Sequence, residues 1–183
     1  MTSTSQKNIV RISVAAVFAA LICVMTGFIC RIPWGVNGGY IHLGDALIFL
    51  AASVLPTPFA MCAAGIGGGL ADILCGAPVW APFTVVIKAL MALVITNKSE
   101  KIVSKRNMIS LVPCAAISIV GYFIGAVVIS LISGSRFDAA WGGAAAAILG
   151  NVIQAVGSSI VYFILAIALD KTGFKKQCDR VMG

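Results

Sequence analysis

Apolar residues along this chain fall in long blocks, separated by short breaks rich in glycine, proline or basic residues. A bilayer core of about 30 Å needs roughly 20 apolar residues per helix. By that ruler a first span covers residues 9–30. The loop that follows, residues 31–41, carries Pro33, Gly35, Asn37, Gly38 and Gly39. A second span over 42–55 is short enough to predict a tilted or partly embedded helix. Pro56-Thr57-Pro58 then turns the chain, because two prolines cannot continue a helix. Further spans are predicted over 59–74, 80–95, 108–132 and 142–169, with Cys75-Gly76-Ala77-Pro78 breaking the chain after the third. The pattern predicts an all-α membrane domain of six transmembrane helices over residues 1–183.

Composition agrees with lipid as the solvent. Of the 183 residues 60% are hydrophobic and 10% charged, against roughly 45–50% and about 25% in ordinary globular chains. Mean hydropathy is +1.05. A soluble fold of this size could not bury so much apolar surface, which excludes a cytosolic enzyme, a nucleic-acid-binding domain and a disordered regulator. The net charge of +7 then reads as topology. With the N-terminus inside, Lys7, Arg11, Lys98, Lys101, Lys105, Arg106, Lys171, Lys175, Lys176 and Arg180 are cytoplasmic, ten of the 13 basic residues. Both termini are therefore expected in the cytoplasm. The first apolar run exceeds the usual signal-peptide core of about 7–15 residues, so it is expected to be a retained helix.

Several features carry no chemistry of their own. Cys23, Cys30, Cys62, Cys75, Cys114 and Cys178 form no CxxC pair, and in an apolar helix cysteine is an ordinary small hydrophobe. Cys30 and Cys75 both approach the outer face, where a disulfide between them has no framework spacing to support it. His42 has no second histidine beside it, so neither metal nor haem is expected. Gly65, Gly67, Gly68 and Gly69 fit no phosphate-loop pattern. Gly65 and Gly69, like Gly121 and Gly125, have the small-xxx-small spacing of close helix packing. No ATP-binding motif occurs, and no cofactor is implied, so uphill transport would draw on a partner or an ion gradient.

Polar side chains inside a membrane are costly and mark candidate sites. Asp45 opens the second span, Asp72 lies in the outer third of the third, and Lys88 stands about two turns into the fourth. Asn151 and Gln154 share one face of the sixth at i, i+3 spacing. All lie at or outside the middle of the bilayer, which predicts a polar cavity opening outward. The alternatives are an Asp72–Lys88 structural ion pair, and Asn151 and Gln154 as helix–helix glue. Trp34, Trp80, Trp141 and Tyr40 fall on the outer side. An interfacial belt would explain them, but the cytoplasmic side has no tryptophan. Trp34 and Tyr40 lie in a glycine-rich loop suited to a lid. Aromatic planes beside amides and charges suit a flat polar heterocycle. In the first span, Ala15, Ala16, Ala19 and Ala20 form two overlapping AxxxA patterns, a surface for close contact with another helix.

These residues resemble a family. Six spans in about 180 residues, the AxxxA patterns and the missing ATPase motif look like the substrate-capture S component of an energy-coupling-factor (ECF) vitamin transporter. Gly38-Gly39-Tyr40-Ile41-His42-Leu43-Gly44-Asp45-Ala46 is similar to its GGY-HLGDA stretch. Gly69-Leu70-Ala71-Asp72, and Trp80-Ala81-Pro82-Phe83-Thr84 through Ile87-Lys88, match further blocks of the riboflavin-transporter-like branch. Gly150-Asn151-Val152-Ile153-Gln154-Ala155 looks like a sub-branch associated with salvage of queuosine precursors. The resemblance implies a multi-pass protein of the bacterial cell membrane that captures a micronutrient at the outer face. It implies docking through the first-helix alanines onto a transmembrane coupling protein, with two ATPase subunits driving release inside. Trp34, Tyr40, Asp45, Asp72, Trp80, Lys88, Asn151 and Gln154 are the candidate ligand contacts.

Three classes of function follow from the residues. The first is a capture subunit for a deazaguanine-type ligand (queuine, queuosine or a precursor), because Asn and Gln can pair with a purine-like edge. Hydroxymethylpyrimidine, vitamin B6 or riboflavin meet the same physics. The second is an autonomous secondary transporter or channel acting as an oligomer, with Asp72 and Lys88 as a coupling pair. No inverted repeat between the halves supports it. The third, an intramembrane enzyme, lacks a complete constellation: Gly157-Ser158-Ser159 is not a GxSxG elbow, and no second histidine exists.

Overall fold

A computed structural model describes residues 4–29, 31–34 and 39–182. The chain is helical almost throughout. Its elements are α1 (Thr4–Gly27), a short hairpin of β1 (Ile32–Pro33) and β2 (Tyr40–Ile41), α2 (Asp45–Val54) and α3 (Thr57–Leu74). A 3₁₀ turn (Pro78–Trp80) leads into α4 (Ala81–Val94), followed by α5 (Lys105–Ile132), α6 (Phe137–Thr172) and α7 (Phe174–Met182). Of the expected positions, Cys30, Gly35, Asn37 and Gly38 lie outside the described residues.

Four helices, α1, α3, α5 and α6, are long and apolar enough to cross a membrane; α2 and the Pro78–Val94 segment are apolar but shorter. At 10 residues, α2 rises only about 15 Å. It is buried on nearly every side, with Ala46, Ile48, Phe49, Ala51, Ala52 and Val54 all inside. A helix apolar all round belongs inside a bundle, and α2 is its centre. α3 packs against α1 and α4, α5 joins α4 to α6, and α6 closes back on α2.

The predicted boundaries shift for local reasons. Pro58 falls in the first turn of α3, where its missing N–H costs nothing, so α3 starts at Thr57 instead of 59. α6 begins at Phe137, five residues before the expected 142, and runs 36 residues to Thr172. Gly173, at φ 69°, ends it in the left-handed conformation. The short helix α7 then forms where the sequence offered only a charged tail. Its Lys175 is buried, bonding Asn97 O at 2.7 Å and Asp179 at 2.8 Å. Arg11 of α1 donates to Met182 O at 2.9 Å.

Close packing at the glycines is the arrangement formed. A side chain at Gly67 would meet Ala19 O of α1 at 2.6 Å, and one at Gly69 would meet Val85 of α4 at 2.6 Å. The alanine surface of α1 is split by the same packing. Ala15 is buried and Ala19 half-buried against the core, whereas Ala16 and Ala20 are exposed. The small-residue surface expected from the AxxxA patterns is thus shared between an internal contact, at Ala15 and Ala19, and the outer face of α1, at Ala16 and Ala20.

Ten basic residues and the tryptophans occupy opposite ends of the bundle. At the basic end Asn107 bonds Ser53 Oγ, Thr96 N and Thr96 O at 3.0–3.3 Å. Asp170 accepts the N–H groups of Ile102 and Val103, both at 2.9 Å. This knot fixes the loop between α4 and α5 and closes that end. The hairpin end is different.

Candidate ligand cleft

The hairpin end holds a cleft, open at its mouth, with a cavity volume of about 50 Å³. Its wall is built from the hairpin and four helices. The hairpin and its exit supply Trp34, Tyr40 and His42, α3 supplies Asp72, and the 3₁₀ turn and α4 supply Trp80 and Thr84. Tyr122 comes from α5, with Asn151 and Gln154 from α6. A concave wall on which a few polar groups converge among aromatic faces is a common form of ligand site.

The hairpin covers the cleft. Ile32 pairs with Ile41 and Pro33 with Tyr40, and the Trp34 N–H donates to Gly39 O at 3.0 Å. The Trp34 indole then lies directly on Gly150 of α6, where any side chain would collide with the ring. Arg31 stacks its guanidinium over the Tyr40 ring, 4.4 Å from the centroid, and donates to Cys75 O at 3.2 Å. Tyr40 donates its hydroxyl to Asp72 Oδ1 at 2.7 Å. Burial first, and then the Asp72 charge, push the Tyr40 phenol well above its usual range, so it remains a donor.

Behind the wall lies a charged knot. Lys88 Nζ meets Asp45 Oδ1 at 2.6 Å, with the two side chains 0% and 1% exposed. Gln154 Nε2 donates to Asp45 Oδ2 at 3.1 Å, and its Oε1 accepts the His42 N–H at 3.2 Å. His42 Nδ1 in turn accepts the Gly44 N–H at 3.1 Å. One glutamine therefore ties α6 to the entry of α2, and Lys88 ties α4 to the same point.

The expected site residues thus divide. Trp34, Tyr40, Asp72, Trp80, Asn151 and Gln154 line the cleft. Asp45 and Lys88 do not: they neutralise each other behind it. The alternative of an Asp72–Lys88 pair is corrected as well, since Asp45 takes the lysine and Tyr40 takes Asp72. Gln154 faces the cleft but has both ends engaged within the protein. Trp141 stands apart, half exposed and edge-on to Phe123 at 4.9 Å.

Thr84 and Tyr122, which share a 3.3 Å contact, escaped the sequence reading. Thr84 lies one helical turn before Lys88, on the same face, and that spacing was the available signal. Tyr122 lies in the middle of an apolar run, and its hydroxyl alone distinguished it.

The chain matches the family described as ECF-type riboflavin transporter, S component, over residues 6–171. It is also similar to a protein of Pyrococcus woesei described as an uncharacterized protein in gap 3'region. They are 30% identical over 138 residues, 75% of this chain and 86% of that protein. S components bind substrate and work with a transmembrane coupling protein and ATPase modules. The family match takes in all the elements that build the cleft, and with them the chain belongs to the ECF-type riboflavin transporter S-component family: a multi-pass membrane subunit that binds a substrate for transport and is not an enzyme.

Proposed function

We propose that the cleft captures a small planar heterocycle at the outer face of a bacterial cell membrane, for delivery by a coupling protein and two ATPases. The observation that carries this is the composition of the wall. Trp34, Trp80 and Tyr122 offer aromatic faces, and Asn151 and Asp72 offer polar groups between them. A hairpin lies over the whole as a lid. The ten basic residues gather at the other end, which by the positive-inside bias is cytoplasmic. With α2 and α4 counted, six helices run alternately between the ends and both termini are inside. The exposed Ala16 and Ala20 are the docking contact for the coupling protein.

Within this reading the favoured ligand is a queuosine precursor (queuine, queuosine or another deazaguanine). Among the described residues the Asn151 amide makes no hydrogen bond, which suits it to pair with a purine-like edge. Hydroxymethylpyrimidine, vitamin B6 and riboflavin follow. The test is uptake by cells that lack their own route for the labelled compound. Cells making this chain with the coupling protein and both ATPases should accumulate queuine, and cells making the chain alone should not. Asn151→Ala should weaken capture roughly tenfold, the worth of one well-placed hydrogen bond. Uptake by the chain alone, collapsed by an uncoupler, would contradict the proposal and favour an autonomous secondary transporter.

A further inference from the structure

Two aspartates stand at the cleft, and they are satisfied differently. Asp45 has both oxygens occupied, one by Lys88 and one by Gln154. Asp72 is 4% exposed. Its Oδ1 accepts from Tyr40, but among the described residues Oδ2 accepts from nothing. No neighbouring donor among these residues reaches it within hydrogen-bond distance. Lys88 belongs to Asp45, and the Thr84 hydroxyl, which lies beside Asp72 and 3.3 Å from the Tyr122 hydroxyl, stops short of Oδ2. Arg31 lies exposed over the Tyr40 ring and bonds Cys75 O. A carboxylate oxygen shielded from water and lacking a donor is costly, and buried polar groups are otherwise almost always paired. Asp72 lines the cleft, so the missing donor has a place to come from.

We infer that Asp72 Oδ2 selects the ligand, and that the captured heterocycle turns an N–H edge (a ring amide, an amino group or a protonated nitrogen) toward α3. The inference deepens the capture reading and rests on it. Tyr40 holds Oδ1 and so leaves Oδ2 as the unpaired acceptor of a residue on the cleft wall. A heterocycle with only acceptors on that edge would leave the oxygen unpaired and face it with lone pairs, so it is rejected. An anionic ligand is rejected more strongly. In Asp72→Asn the amide oxygen would keep Tyr40 and the NH₂ would face the cleft, which reverses the polarity that the ligand meets.

Equilibrium dialysis of the purified chain in detergent tests this with four probes. 7-Deazaguanine and 7-deazapurine differ in the six-membered ring, where the second has no N–H donor; queuine and riboflavin complete the set. The unaltered protein should prefer 7-deazaguanine over 7-deazapurine by roughly 10–100-fold, the worth of a hydrogen bond to a charged group. Asp72→Asn should erase most of that preference. Queuine bound equally by the parent and Asp72→Asn, with no preference between the deazapurines, overturns the inference and leaves the deazaguanine reading intact. Riboflavin bound in place of queuine, and lost in Asp72→Asn, upholds the inference and overturns the deazaguanine reading. Binding of none of the four overturns both. If Asp72→Asn fails to fold, Asn151→Ala decides the matter: the preference between the two deazapurines should survive it, and loss of that preference overturns the inference.

Discussion

Lys88 has no exposed surface and one carboxylate to answer its charge. Taking two ions out of water is expensive, and breaking such a pair from one side strands the other charge. Lys88→Met should therefore lower stability by about 3–5 kcal/mol, read as a fall in unfolding temperature in detergent. Adding Asp45→Asn should recover most of the loss, because Gln154 still has a polar partner; a double variant as unstable as the sum of the singles would contradict the pairing. At this scale the sequence was legible for type and not for partner. It marked Asp45, Asp72, Lys88, Asn151 and Gln154 as needing explanation. It gave an Asp72–Lys88 pair as the alternative to ligand contact, because their helices are consecutive. Asp45 instead reaches the lysine from 43 residues upstream, on a helix whose orientation depends on the surrounding bundle.

The hairpin meets α6 at Gly150, next to Asn151 on the same helix. Gly150→Val would place a branched side chain where the Trp34 indole lies. With Trp80 and Trp141 replaced by Phe, the remaining Trp34 emission should shift to the red as the ring is displaced, while helical circular dichroism stays unchanged. An unshifted spectrum would mean that the indole does not rest on Gly150. The sequence predicts a glycine-rich loop here but not the hairpin, because two-residue strands carry no periodicity. It placed the long spans to within a few residues. It missed α7, since Phe174–Met182 holds four Lys, Arg and Asp residues in nine positions. What makes α7 an element is tertiary: Lys175 caps the 97 loop and the Met182 carbonyl accepts from Arg11.

As a whole the molecule separates two jobs along its length. One end is locked by Asn107, Asp170 and Lys175, and the other opens between four helices, a 3₁₀ turn and a hairpin. The buried Lys88–Asp45–Gln154 knot lies between them and holds α2, α4 and α6 together just behind the cleft wall. A rigid base under a lidded cleft is what capture without catalysis requires. Trp34 and Trp80 stand on that wall, so occupancy should register in the protein's own fluorescence. The measurement is a titration of tryptophan emission from the purified chain with queuine, queuosine, hydroxymethylpyrimidine, pyridoxine and riboflavin. Saturable quenching by one of them at submicromolar concentration is the predicted result. Folded protein whose emission stays unchanged across all five would contradict capture of a small heterocycle in this cleft.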